Sequence, residues 1–175
     1  MINPVASSNG KVLKRLMIMS LLTALSVVLE RFLGYNDRII SVSLGYLPVA
    51  LAAMLFGPLP GAVVSALADF LGALLFPAGA LDLRFTLIAA IKGFIYGYFL
   101  SQRGVGRGRI ILSQALVTVL CHLTLNTLVI STIIGQGFWA LLPLRVVKNL
   151  LFFPVEVFTL IKMAEYRGTF DRLAK

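Results

Sequence analysis

From Leu44 to Pro77 the chain carries one charged side chain, Asp69. A helix that crosses the hydrocarbon core of a bilayer takes about 20 apolar residues, so this stretch is too long for one span. Gly57-Pro58-Leu59-Pro60-Gly61 interrupts it. Proline has no amide donor and clashes with the preceding turn, so a helix does not run through this segment. The stretch reads as two membrane helices joined by a tight turn, the second with a carboxylate at its middle. A lone ionisable group at that depth is expensive to keep, which makes Asp69 a candidate functional residue.

The composition agrees. Hydrophobic residues make up 59% of the 175 and charged residues 13%, against roughly 25% charged in ordinary soluble domains. The expected fold class is an all-α membrane protein: six transmembrane helices in a single bundle and a single domain over residues 1–175. Residues 1–10 are expected to be a flexible cytoplasmic tail. The spans fall at about Val12–Gly34, Ile39–Phe56, Gly61–Phe76, Phe85–Leu100, Ile110–Gly135 and Leu142–Ala164. Pro48 suggests that the second is a short helix entered by irregular chain. The basic start before Leu16 could suit a signal peptide. However, no small-residue cleavage site follows and more spans do, so this run reads as a retained helix.

Lys11, Lys14, Arg15, Arg103, Arg107, Arg109, Lys162, Arg167, Arg172 and Lys175 gather on one side of this topology, ten of the sixteen basic residues. By the positive-inside rule that side is cytoplasmic, and an even number of spans puts both termini there. The net charge of +9 comes with no basic amphipathic face or aromatic-interleaved patch, so nucleic acid is not an expected partner. Cys121 is alone and cannot form an intramolecular disulfide. No GxxxxGK[ST], HExxH, CxxC or GxSxG occurs, and one His with one Cys gives neither a metal cluster nor a nucleophile–base pair. An enzyme is disfavoured, and no cofactor or metal is expected.

Polar groups collect toward the outer half. Glu30 and Arg31 end the first helix, Tyr35-Asn36-Asp37-Arg38 forms the first outer loop, and Arg84 and Phe85 open the fourth helix. His122 and Asn126 are spaced i, i+4, and Arg145, Lys148 and Asn149 are spaced i, i+3, i+4, each set on one helical face. Any one of these is accounted for as an interfacial anchor or a snorkelling side chain. Together they suit a small-molecule pocket with convergent polar groups, whose basic members fit an anionic ligand. Asp69 and Lys92, each seven residues from the intervening loop, are expected at similar depth, where they could form a buried ion pair. Gly61, Ser65, Ala68 and Gly72, and Gly93 with Gly97, form stripes suited to close helix packing. Ser20 and Ala24 could pack internally or dock a partner helix, and Trp139 reads as an interfacial aromatic.

Gly45-Tyr46-Leu47-Pro48-Val49-Ala50-Leu51-Ala52-Ala53-Met54-Leu55-Phe56-Gly57-Pro58, Leu67-Ala68-Asp69-Phe70-Leu71-Gly72 and Leu75-Phe76-Pro77 resemble segments of a known family. Phe85-Thr86-Leu87, Gly93-Phe94-Ile95-Tyr96-Gly97, Leu125-Asn126-Thr127-Leu128 and Phe138-Trp139-Ala140-Leu141-Leu142-Pro143 follow in the same order, then Arg145 and Lys148. The family is that of the substrate-binding S components of energy-coupling factor vitamin transporters, in particular the folate type. Ala80-Leu81-Asp82-Leu83-Arg84 departs from the family's aromatic-Pro-Gly cluster, Lys92 from a small or uncharged residue, Ser20 from alanine, and Val129 from tryptophan.

The resemblance implies a multi-pass protein of a prokaryotic cell membrane that binds a vitamin, most simply folate, in a site capped by outer loops. Its implied partners are a transmembrane coupling protein and two cytoplasmic ATPases that supply ATP hydrolysis. It implies a site built from Arg31, Asp69, Phe85, Asn126, Arg145 and Lys148, with Phe85 stacking on the ligand and the cations meeting glutamate carboxylates. Asp69 would either accept hydrogen bonds from a pterin or serve only to fix helix register. Ser20 and Ala24 would dock the coupling protein. The alternatives are an S component for another vitamin or precursor, an autonomous secondary transporter, and a small membrane enzyme.

Overall fold

Gly57 closes the first tight turn of the bundle. In the computed structural model, α2 (Tyr46–Phe56) and α3 (Pro58–Leu75) meet there, with Gly57 at φ 96°, ψ −171°, a backbone conformation that favours glycine. Pro58 follows at the first helical position, where its missing amide leaves no bond unmade. Pro48, in the first turn of α2, is tolerated for the same reason. Residues 4–32, 34–36, 41–76, 82–102 and 104–174 are described, without the side chains of 4–9, 35, 36, 41, 42 and 171–174. Asp37, Arg38, Pro77–Leu81, Arg103 and Lys175, which figure in the expectations above, lie outside the described residues.

Among the described residues the fold is all-helical apart from one small ladder. α1 (Pro4–Arg31) begins within the segment expected as a tail. The ladder is antiparallel, with Tyr35 opposite Val42 and Asn36 opposite Ser41. It replaces the first part of the expected second span: chain at the polar boundary satisfies its backbone amides by pairing, and helix starts only at Tyr46. α4 (Leu83–Leu100) follows α3. Next, α5 (Arg107–Leu116), a π-helical segment (Val117–Leu125) and α6 (Asn126–Ile134) run on as one helix. α7 (Phe138–Glu165) and the short α8 (Arg167–Ala174) complete the chain.

α1, α3, α4 and the α5–α6 helix are each long and apolar enough to cross a membrane. α2, with 11 residues, reaches about 16 Å at 1.5 Å per residue, short of the roughly 30 Å core. α7 is long enough, but Arg145, Lys148 and Glu156 interrupt its apolar character.

α8 packs against α1, α2 and α7, which places it at the bundle end where α1 begins. Two arginines bind backbone carbonyls at this end. Arg167 donates to the carbonyls of Met54, Leu100, Ser101 and Gln102 at 2.6–2.8 Å, and Arg15 donates to that of Phe56 at 3.2 Å. Cations at helix C-termini also complement the helix dipole.

Glycine sets the α3–α4 interface. A Cβ on Gly93 would stand 2.2 Å from the Gly61 carbonyl oxygen, and one on Gly97 would stand 2.3 Å from the Pro58 Cα. The expected small-residue stripes therefore serve close packing.

Candidate ligand-binding site

α4 and α7 present matching faces to one cavity. Phe85, Ile88, Ala89, Lys92 and Tyr96 line it from α4, and Arg145, Lys148, Asn149, Phe152 and Glu156 line it from α7. Both sets follow the spacing i, i+3, i+4, i+7, i+11, a continuous stripe on a helix. The backbones of α4 and α7 do not pack against each other, and the cavity of about 140 Å³ lies between them. Glu30, Ser43, Tyr46 and Asp69 close it on the α1–α3 side; Cys121, His122 and Asn126 close it from the π segment and the start of α6.

The mouth and the floor differ chemically. Toward the mouth, Asp69 Oδ2 accepts a hydrogen bond from Thr86 Oγ1 at 2.9 Å. Arg145, only 7% exposed, reaches from α7 to donate to Thr127 Oγ1 (3.3 Å) and the His122 carbonyl (3.4 Å). At the floor, Gln114 Nε2 donates to Glu156 Oε2 at 2.6 Å, while Gln114 Oε1 accepts from the Tyr96 hydroxyl at 2.8 Å. The Tyr46 hydroxyl lies 2.6 Å from Thr159 Oγ1. This polar cluster joins α2, α4, α5 and α7 and is largely buried, so each of its bonds also spares a desolvation penalty.

The π segment places residues that an α-helix would turn elsewhere. The Asn126 amide bonds to the Cys121 carbonyl, five residues back. The wider turn brings Cys121, His122 and Asn126 to the cavity, and Asn126 Oδ1 is buried there with no hydrogen-bond partner among the described residues. Such insertions occur frequently at functional sites.

Outside the membrane-spanning part, Asp82 caps α4 by accepting from the Arg84 amide at 2.9 Å, and it pairs with the Arg84 guanidinium at 2.6 Å. The guanidinium holds the Asp82 carboxyl below its ordinary pKa. Arg84 also reaches Thr132 Oγ1 at 3.0 Å, linking the start of α4 to α6. It does not line the cavity.

Of the residues expected to bind ligand, Asp69, Phe85, Asn126, Arg145 and Lys148 line the cavity and Arg31 does not. Arg31 packs on α3, its guanidinium against Gly72, where a Cβ would stand 3.2 Å from Nε. Ser20 and Ala24 are exposed on α1, beside Leu21 and Val28. Trp139, 79% exposed, meets Phe138 edge-on and stays out of the cavity.

The expected Asp69–Lys92 ion pair does not form: among the described residues no contact within 4 Å joins them, although both line the cavity. Equal spacing from the loop implied equal depth, but the glycine seam sets the register. With Gly97 against Pro58 and Gly93 against Gly61, Asp69 falls beside Thr86, and Lys92 sits six residues deeper, about 9 Å.

Glu156, Gln114, Tyr96, Tyr46 and Phe152 were not anticipated as site residues. The stripe from Arg145 through Lys148 and Asn149 continues to Phe152 and Glu156, so two of the five were within reach of the same periodicity. The site is also less basic than expected, since Glu30, Asp69 and Glu156 face Lys92, Arg145 and Lys148 in it.

A family model described as "ECF transporter, substrate-specific component" matches residues 14–164. The chain is similar to Folate transporter FolT of Clostridium novyi (strain NT), 34% identical over 160 residues, covering 90% of this chain and 93% of that one. It is similar to Folate transporter FolT of Leuconostoc mesenteroides subsp. mesenteroides, 28% identical over 151 residues, covering 82% and 80%. Among solved structures it matches one titled "Crystal structure of FolT bound with folic acid", with a TM-score of 0.83 and 34% identity, covering 87% of this chain and 93% of that one.

Proposed function

The chain belongs to the substrate-specific components of ECF transporters, a family of transporter subunits and not of enzymes, and we propose that its own ligand is a folate. The observation that carries this reading is the mixed lining of one cavity. Carboxylates and cations both face it, with Phe85, Tyr46, Tyr96 and Phe152 among them. A folate combines a flat donor-rich ring system, an aromatic linker and a terminal dicarboxylate, and such a lining can answer all three. Arg145 and Lys148 would meet the terminal carboxylates through charge-assisted bonds, Phe85 would stack on a planar part, and Asn126 would hydrogen-bond. The enclosed volume of about 140 Å³ is below the roughly 300–1,000 Å³ of common small-molecule pockets. The ligand therefore enters by one end, with the remainder reaching toward the mouth.

Transport would draw on partners: a transmembrane coupling protein and two ATPases. Ser20 and Ala24, small and exposed on α1, would admit a helix of the coupling protein, since small residues let membrane helices approach closely. Ala24→Trp should then abolish uptake while the isolated subunit still binds ligand. Loss of binding as well would point to internal packing.

The test of ligand identity is mass spectrometry of what the detergent-purified protein retains, with titration of folic acid into ligand-depleted protein. Saturable binding supports the reading. A different retained vitamin, with no response to folic acid, refutes it.

A further inference from the structure

The cavity holds carboxylates at two depths, and the deeper one, Glu156, ends a hydrogen-bonded chain of side chains that joins α4, α5 and α7. Gln114 donates through Nε2 to Glu156 Oε2 and accepts from Tyr96 through Oε1. An ionised carboxylate only accepts, so this arrangement fixes the orientation of the amide. Glu156 Oε1 has no hydrogen-bond partner among the described residues, and Glu156 lines the cavity. Lys92 and Lys148 line the same space and offset its charge. A carboxylate has about four lone-pair sites, and Gln114 uses one.

We propose that Glu156, held by Gln114 and Tyr96 at the cavity floor, is the specificity-determining residue that recognises the paired N–H donors of a 2-amino-4-oxo heterocycle. This rests on the folate reading above and says which end of the ligand lies deepest. The ring N–H and the exocyclic amino group form two parallel donors that one carboxylate can accept together, as it does with a guanidinium. Asp69 is the rival; Thr86 occupies one of its oxygens as Gln114 does one of Glu156's, so depth is what separates the two. Thr86 is ten residues from Tyr96 along α4, about 15 Å toward the mouth. On α7, Arg145 precedes Glu156 by eleven residues, about 16 Å. The acidic end of an elongated ligand would therefore meet Arg145 near the mouth, and its ring would meet Glu156 at the floor.

The experiment measures binding of folic acid, pterin-6-carboxylic acid and p-aminobenzoylglutamate to the full-length protein, E156Q and D69N. E156Q should weaken folic acid and pterin-6-carboxylic acid by roughly 30-fold or more and leave p-aminobenzoylglutamate within about twofold. E156Q should cost the pterin fragment at least about tenfold more affinity than D69N does. Unchanged pterin binding in E156Q, a larger loss in D69N, or equal weakening of all three ligands by E156Q would each overturn the assignment. On the unmodified protein, 2-deamino-2-methylfolic acid should bind at least tenfold more weakly than folic acid. Equal binding overturns the proposal even if E156Q does not fold. Failure of the unmodified protein to bind folic acid would instead defeat the folate reading, and this assignment with it.

Discussion

α4 belongs to two interfaces that could hardly differ more. Toward α3 it shows Gly93 and Gly97, with backbone so close to Gly61 and Pro58 that a methyl group has no room. Toward α7 it shows Lys92 and Tyr96, with a cavity instead of a packed neighbour. The residues of the two faces are adjacent in sequence, 92 beside 93 and 96 beside 97, and only the helical turn separates them. Inside a membrane lipid is as apolar as leucine, so burial alone does little to hold helices together. The seam relies on close contact between backbones, and that rigidity lets the neighbouring face of the same helix stay open for a ligand.

The harshest challenge to this division is Gly93→Ala. Its Cβ would meet a backbone oxygen, not a flexible side chain, so the cost should lie at or above the top of the usual 1–3 kcal/mol for overpacking, about 3 kcal/mol. Thermal unfolding in detergent measures it, and stability within about 0.5 kcal/mol of the parent would mean that the seam does not set the helix spacing. Next comes Gln114→Leu, which leaves the Tyr96 hydroxyl and the Glu156 carboxylate without their shared partner. A loss of about 1–3 kcal/mol is expected, and no loss would remove the floor cluster from the account of stability.

On the cavity side, Arg145→Ala should weaken folic acid binding by roughly tenfold to a hundredfold, the range for a hydrogen bond to a charged group. Arg31→Ala, which changes the α1–α3 contact, should alter melting more than affinity. Equal affinity losses in both would return Arg31 to the site. Asp69→Asn and Lys92→Met should act independently, with the double-variant stability matching the sum within about 0.3–0.5 kcal/mol. A coupling well beyond that would restore the ion pair.

The smallest effect concerns Asp82, whose folded pKa lies below its ordinary value because of Arg84. Its contribution is present above the unfolded value of about 3.9 and fades as pH falls through the lower folded pKa. Melting between pH 7 and pH 3 should therefore be slightly less acid-sensitive in Asp82→Asn. An identical pH dependence would show that the cap contributes nothing measurable.

Much of this molecule was legible in its residues. The apolar runs gave membrane helices, Gly57-Pro58 gave the turn, and the stripes of small residues gave the seam. Asp69, Phe85, Asn126, Arg145 and Lys148 could be found because each stood out as a polar or ring-bearing residue in a recognisable segment. Arg31 stood out in the same way, yet it packs on Gly72. A charge at a helix end advertises its presence and not its direction. Glu156 lies two turns beyond Asn149 on the same stripe of α7, where the periodicity could have been carried on to it.

Composition and helical periodicity determined the fold class, because each crossing must satisfy its own backbone and meet lipid with apolar side chains. Those are local requirements, readable segment by segment. The depth of Lys92 relative to Asp69, the widened turn at Val117–Leu125 and the meeting of Tyr96, Gln114 and Glu156 are not local. They depend on how far one helix slides along another before its glycines engage, and no count of residues from a loop supplies that distance. Only the packed bundle does, since the register is fixed by backbone contacts between segments distant in sequence.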